Sequence, residues 1–259
     1  MKMYETIQYL VVDGVATIEL ARPDKLNAFN RTMIAEMTAA VKEAGKDNDV
    51  RCLVFTGAGR GFCSGQDLAD VDDNMDHGQV LREQYGPLMK SIMSLEKPVV
   101  AAVNGVAAGA GFSLALACDF RLASEKSSYI NAFINIGLIP DSGNLYFLQN
   151  LVGYAKAMEI SVLGEKISAD KAKELGLVTK VIQTENWDEE VSRFSENLAK
   201  LPTKAIGLIK RNLKYADTLS FEAFLESEAQ GQRIAGLTKD HQEGVQAFIE
   251  KRKPVFIGN

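Results

Sequence analysis

Residues 98–118 form a run of 21 residues without a charged side chain in a chain of 259. A stretch of that length can cross a bilayer, so it must either span one or be enclosed by a core. Its internal order favours enclosure. Pro98 opens the run, Asn104 interrupts it, and Gly105, Gly109 and Gly111 sit in its middle. Val99, Val100 and Val103 cluster before the Asn-Gly pair, with alanines and leucines after it. This pattern predicts a buried strand, a tight turn and a buried helix rather than a membrane span.

Composition sets the class around that core. At roughly 150 residues per domain, the length suits one large domain, or one with an appendage. Apolar residues make up 46% and charged residues 24%, which excludes collagen-like, disordered and disulfide-scaffold chains. Lys plus Arg number 29 against 34 Asp plus Glu, a net charge of -5 that gives no electrostatic reason for a nucleic-acid partner. Anionic ligands would need local basic or backbone sites. Cys52, Cys63 and Cys118 lack CxxC spacing and read as reduced thiols of a cytoplasmic protein. His77 and His241 lie far apart, so no zinc or iron site is expected. The opening MKMYETIQYLVVDG lacks an apolar segment followed by a small-residue cleavage site, so no secretion signal is expected, and the sequon at Asn30-Arg31-Thr32 carries no weight.

Strand and helix signals alternate along the first half. IQYLVVDGVATIEL (7–20) reads as a hairpin about Asp13-Gly14. Met33, Ile34, Met37 and Val41 mark a helix over 31–46, with Met33 and Met37 in the core, and RCLVFTG (51–57) reads as a buried strand. The glycine-rich 57–65 follows, then an acidic aperiodic loop from Asp67 to His77, then a helix over 80–96. After the uncharged run, 119–124 reads as a strand. The second half is mostly helical: 144–163, and 168–176 with Ser168 as N-cap. A short strand at 177–182 precedes helices near 187–200, 203–216, 220–236 and 240–251. The fold class is therefore α/β with a helical C-terminal extension.

Two glycine loops, each after a strand, invite a phosphate-binding reading. Phe62 and Leu114 stand where a dinucleotide fingerprint needs its third glycine, and no GK[ST] follows either loop. Close backbone packing is one alternative. The other uses both loops together, because backbone N–H groups at the ends of buried strands can point into one pocket. The Gly109–Gly111 loop also opens a helix, whose first N–H groups favour negative charge. Two N–H groups on one carbonyl oxygen would stabilise an enolate by roughly 3 kcal/mol per donor.

RPDKLNAF (22–29), GFCSGQDL (61–68), KPVVAAVNGVAAGAGFSLALACDFRLAS (97–124), INIGLIPDSG (134–143) and the closing KRKPVF (251–256) resemble, in order, the crotonase or enoyl-CoA hydratase/isomerase superfamily. Within it the chain looks most like the 1,2-epoxyphenylacetyl-CoA isomerases. The resemblance implies a spiral of repeated β-β-α units over 1–200, which binds acyl-CoA. It implies a helical segment over 201–259 that makes homotrimers, often paired into hexamers. The oxyanion donors would be the N–H groups of Gln66 and Ala110, flanked by Gly65 and Gly109. Lys25, Ala28, Asp67 and Leu68 would line the CoA groove, and Phe256 with its basic neighbours would reach the adenine. Coenzyme A enters as part of the substrate, so no cofactor is expected.

Hydratases of this family use two glutamates, and the matching positions here hold Ser113 and Phe133. Serine is a poor base and phenylalanine transfers no proton, so efficient hydration is disfavoured. One carboxylate remains, Asp141 in Pro140-Asp141-Ser142-Gly143. It is either the N-cap of the following helix or a base at the place where family isomerases keep an aspartate. Phe133, Ile136 and Leu138 would raise its pKa by desolvation. A single carboxylate can move a proton between carbons, which shifts a double bond.

Other positions carry plainer readings. Asp67 would cap neighbouring N–H groups, Cys63 would be a packed small residue and His77 would be solvated. Tyr85 and Tyr146 would line the acyl pocket or simply fill the core. Ala132, Phe133 and the 68–90 segment would shape the acyl site. Three competing functions stand beside the isomerase. A hydratase would need Asp70, Asp72 or Asp73 to swing in. A CoA-thioester dehalogenase would use the aspartate as a nucleophile, but Lys90 occupies the place of its expected histidine. A non-catalytic acyl-CoA-binding subunit has no reason to keep Asp141 beside the oxyanion loops. Asn144 replaces an expected glycine and puts the helix start in question.

Overall fold

The hairpin expected at the N-terminus forms from β1 (Ile7–Val12) and β2 (Val15–Leu20), paired antiparallel from Ile7 opposite Leu20 to Val12 opposite Val15. The computed structural model describes residues 4–67, 69, 75–216 and 218–259. Asn30 accepts the Met33 N–H at 2.8 Å and so caps α1 (Arg31–Lys46), whose inner face buries Met33, Ile34, Met37 and Val41.

From there the chain climbs in β-β-α steps. β3 (Cys52–Gly57) leads into β4 (Gly61–Cys63), then α2 (His77–Val80), a π-helical turn over Leu81–Tyr85 and α3 (Gly86–Ser94). β5 (Val99–Val103) leads into β6 (Val106–Ala108) and α4 (Ala110–Ala117). β7 (Phe120–Ser124) leads into β8 (Ser128–Ile130) and, past a 3-10 turn over Ala132–Ile136, into α5 (Asn144–Leu163). β9 (Lys166–Ser168), α6 (Ala169–Glu174) and β10 (Lys180–Ile182) complete the climb.

Each step contributes to two sheets. One is ordered β1-β2-β3-β5-β7-β10 and the other β4-β6-β8-β9. All neighbours beyond the first hairpin are parallel except β8 with β9. Leu53 and Phe55 face the main core with Val99 and Ala101, whereas Cys52, Val54, Val100 and Ala102 face a second cluster under Leu198 and Ala199. Burial on both faces explains the near-continuous apolar strands. The uncharged run resolves into β5, β6 and α4, a helix buried on every side. Among the described residues, no helix is long and apolar enough to cross a membrane.

The three-residue strands β4, β6, β8 and β9 had no signal of their own in the sequence. The expected 80–96 helix begins at His77 and ends at Ser94, and the expected 177–182 strand shrinks to Lys180–Ile182. Ser168 caps α6 as expected, accepting the Lys171 N–H at 3.2 Å. Gly153 breaks α5 internally, at φ +76.

α7 (Trp187–Ala199) covers the second cluster, and α8 (Thr203–Tyr215), α9 (Phe221–Gly236) and α10 (Lys239–Glu250) close the chain. α8 is tied to the sheet by Lys210, which pairs with Asp119 at 2.6 Å and donates to the Lys97 carbonyl at 2.8 Å. Among the described residues, neither apolar cluster extends past Ala199.

Candidate active site

The first glycine loop is held by two asparagine side chains. Asn27 Nδ2 donates to the carbonyls of Ala58 at 2.9 Å and Gly61 at 2.8 Å. Asn104 Nδ2 donates to Gly57 and Gly59 at 2.8 and 2.9 Å, and its Oδ1 accepts the Gly57 N–H at 3.2 Å. Beyond β4, Phe29 and Gln66 form a parallel bridge. The Phe29 N–H donates to Gly65 at 2.7 Å, and the Asp67 N–H donates to Phe29 at 2.8 Å. Alternation along an extended segment then turns the Gln66 N–H away from Phe29.

The second loop ends at Gly109, with φ +50 and ψ −125, and Ala110 begins α4. The Ala110 N–H is one of the unpaired donors of a helix N-terminus. Among the described residues neither it nor the Gln66 N–H has an acceptor. The two loops touch. A Cβ added to Gly65, at φ +98, would lie 3.0 Å from the Ala108 carbonyl oxygen and 3.6 Å from Ala110 N. A Cβ on Gly109 would lie 3.9 Å from Gly65 Cα and 3.8 Å from Phe133 Cζ. Only glycine permits both this backbone and this approach. Gln66, Ala110 and Phe133 therefore meet at one place. Tyr85, buried on the π-helical turn, donates its hydroxyl to the Gln66 side-chain oxygen.

The Asp141 backbone is tied to α4 through Ser113. The Ser113 Oγ, on α4, donates to the Asp141 carbonyl at 3.0 Å and lies 3.3 Å from the Gly109 carbonyl. Ser142 at φ +55 and Gly143 at φ +79 turn the chain sharply into α5. Gly143, not Asp141, occupies the N-cap position of α5, and the helix begins at Asn144. The Asp141 side chain is thus not a helix cap. Its Oδ1 is buried and without a hydrogen-bond partner among the described residues. Burial holds the carboxyl above its ordinary range, while the neighbouring Ser142 hydroxyl and the charge of His77 act in the opposite direction. Ser142 Oγ itself makes no hydrogen bond of ordinary geometry. Of the apolar neighbours expected to shield Asp141, Phe133 is buried but Ile136 is 62% exposed, because the 3-10 turn points it outward.

The remaining positions are placed as follows. Asp67 is held by Arg22 at 2.8 Å and accepts the Ala69 N–H at 3.1 Å, and both contacts keep its carboxyl below the usual range. Arg22 also donates to the Ala28 carbonyl at 2.7 Å, so it ties the segment before Phe29 to Asp67. Lys25 is exposed on the turn before buried Ala28. Leu68, Asp70, Asp72 and Asp73 lie outside the described residues. Phe256 packs beside Gly244 of α10, with its carbonyl held by Arg51 at 2.7 Å, in a hollow of about 420 Å³. That hollow is lined by Pro202, Val245 and Phe248, and none of Gly65, Gln66, Ala110 or Asp141 lines it. Arg252 is already paired with Glu243 and Glu250. Cys63 is fully buried, and that burial pushes its thiol up to about 12. Lys90 and His77 are exposed. Among the described residues no three His, Cys, Asp or Glu side chains cluster to hold a metal.

The model of the enoyl-CoA hydratase/isomerase family matches residues 11–259. The chain belongs to the enoyl-CoA hydratase/isomerase, or crotonase, family. It is 42% identical over 261 residues to a 1,2-epoxyphenylacetyl-CoA isomerase of Escherichia coli, covering 99% of this chain and 100% of the relative. It is 41% identical over 256 residues to a probable enoyl-CoA hydratase of Rhodobacter capsulatus, covering 98% and 99%. An enoyl-CoA hydratase structure from Bacillus anthracis superposes with a TM-score of 0.91 at 32% identity, covering 98% of this chain and 100% of that one. Ser113 and Phe133, at the positions where the resemblance places the hydratase glutamates, are both buried. The roles of Arg22, Asn27 and Tyr85 carried no signal by themselves. Arg22 and Asn27 fall inside the quoted RPDKLNAF motif, and Tyr85 inside a helical pattern.

Proposed function

We propose that this crotonase-family enzyme is an acyl-CoA isomerase that shifts a double bond, or rearranges a ring epoxide, in a CoA thioester. The Gln66 and Ala110 N–H groups receive the thioester oxygen and stabilise the enolate that forms when a neighbouring C–H is deprotonated. Asp141 takes that proton and returns it to another carbon. Gly65, Gly109 and Phe133 border the acyl end, and Lys25, Ala28, Asp67 and Leu68 border the CoA groove. Phe256 meets the adenine end from a neighbouring subunit, since within one chain it sits apart from the pocket. Coenzyme A arrives with the substrate and no further cofactor is invoked. Residues 201–259 hold together a trimer, or a pair of trimers, around the 1–200 core.

One observation carries the reaction type. A buried carboxylate oxygen of Asp141 lacks a partner among the described residues, and a buried serine and phenylalanine stand where the resemblance places the two hydratase glutamates. The likeness to a relative named as a hydratase makes hydration the second reading. The test follows a 3-enoyl-CoA and a 2-enoyl-CoA separately, in wild type and Asp141→Asn. Isomerisation of the first substrate should fall by about 10²–10⁴-fold in the variant, the usual share of general acid–base catalysis. Water addition to the 2-enoyl substrate that survives Asp141→Asn would establish a hydratase with another base.

A further inference from the structure

The chain departs from the hydratase pattern at Ser113 and from the expected glycine at Asn144, and these two side chains are bonded to each other. Asn144 Nδ2 donates to Ser113 Oγ at 3.2 Å, and Asn144 Oδ1 accepts from Asn131 Nδ2 at 2.9 Å. The second Asn131 N–H goes to Ser161 Oγ at 3.1 Å, on the distal half of α5. Ser113, Asn131 and Asn144 are all 0% exposed.

As the amides are placed, both Asn131 N–H groups donate and Asn131 Oδ1 is buried without a partner among the described residues, while Asn144 presents its oxygen to Asn131 and an amide hydrogen to Ser113. Ser113 receives that bond and commits its single proton to the Asp141 carbonyl at 3.0 Å, with the Gly109 carbonyl 3.3 Å away. One hydroxyl thus connects the backbone of the aspartate to the loop that presents the Ala110 N–H. In a water-excluded site, such a network holds geometry firmly because breaking any member strands a buried polar group.

We propose that Ser113 and Asn144 are a paired latch of positioning residues. They set the distance between the Asp141 carboxylate and the oxyanion donors, and so adapt a hydratase framework to proton shuttling by one carboxylate. The proposal rests on the reading of Asp141 as the acid/base. Neither side chain touches substrate. Ser113 cannot also orient a water as a donor, because its proton is already used.

The test compares Ser113→Ala, Asn144→Ala, the double variant, Ser113→Thr and Asp141→Asn on the 3-enoyl substrate, each checked by circular dichroism and thermal unfolding. Ser113→Ala and Asn144→Ala should each lower kcat by about ten- to a hundredfold with KM nearly unchanged, the penalty of a displaced reacting group. The acid limb of the kcat/KM profile should move with them. The double variant should be no worse than the worse single one, since either change opens the latch. Ser113→Thr, which keeps the hydroxyl, should recover most of the loss. If Asp141→Asn is inactive while folded Ser113→Ala keeps the wild-type kcat and pH profile, the latch is overturned and the isomerase reading stands. Multiplying losses in the double variant would also overturn it. Full turnover by Asp141→Asn would overturn both.

Discussion

At the scale of single residues, burial of the Asp141 carboxyl costs stability at neutral pH. Its folded pKa is raised above the ordinary 3.8 by burial. A carboxyl shifted upward contributes its full stability only below its unfolded value, and that contribution is lost as pH rises through the folded value. Asparagine at this position has no such loss. Asp141→Asn should therefore melt above wild type at neutral pH, with the gap narrowing as pH falls toward 4. Each kcal/mol would appear as about 2–4 °C in Tm. Thermal unfolding between pH 4 and 8 checks this, and a variant less stable than wild type at pH 7 would contradict it. Asp67 behaves in the opposite sense. Its partners Arg22 and Ala69 favour the charged form, which suits a residue that braces its loop rather than one that takes protons. Asp141 stood out in the sequence as the one carboxylate remaining once Ser113 and Phe133 filled the positions where the resemblance places two glutamates. Whether it capped the helix or faced a pocket depended on Ser142 and Gly143 both adopting positive φ, which no periodicity reveals.

At the scale of elements, two strand-to-helix loops are pressed together until no side chain fits between them. α4 packs so closely on β4 that a Cβ on Gly111 would meet the Cys63 carbonyl oxygen at 2.4 Å. Backbone on both sides leaves little room for relief. Gly111→Ala should cost about 1–3 kcal/mol or more as overpacking. It should also lower kcat, because it moves the helix end that carries the Ala110 N–H. Gly236→Ala, with nothing within 4 Å, is the control and should stay within about 0.5 kcal/mol of wild type. Urea unfolding of both variants, read beside turnover, separates the two effects. The longer elements were legible because α1, α7, α8, α9 and α10 each present one apolar face. The three-residue strands were not, since so short a segment shows no period and exists only through its neighbours in the second sheet.

At the scale of the whole molecule, the closing helices leave much apolar surface uncovered in a single chain. Phe248 is 85% exposed, Leu237 76%, Phe221 70% and Leu213 68%. Isolated apolar side chains on a surface are ordinary, but a set this large on and between the closing helices supports the proposed contact face. The trimer or hexamer proposed for the 201–259 segment would cover it. Light scattering coupled to size exclusion should give three or six copies. Phe248→Asp combined with Leu237→Asp should lower the mass and make Tm fall with dilution. A monomeric wild type would remove this part of the proposal.

The sequence by itself determined the class of the molecule. An uncharged run broken by Asn104 and Gly105 has to be buried, alternating strand and helix signals have to build an α/β core, and five ordered motifs resemble one family. The resemblance carried by those motifs, rather than any local pattern, singled out Gln66, Ala110 and Asp141. Tertiary structure alone decided how these groups meet. Ser113, Asn144 and Asn131 are separated by up to 31 residues, yet they form one hydrogen-bonded chain to Asp141. Arg22 reaches Asp67 across 45 residues, and Tyr85 reaches Gln66 from a π-helical turn. Apolar patterning constrains which face of an element is buried. Partners between buried polar groups depend on angstrom-scale distances between elements, and those exist only once the two sheets and their helices have packed.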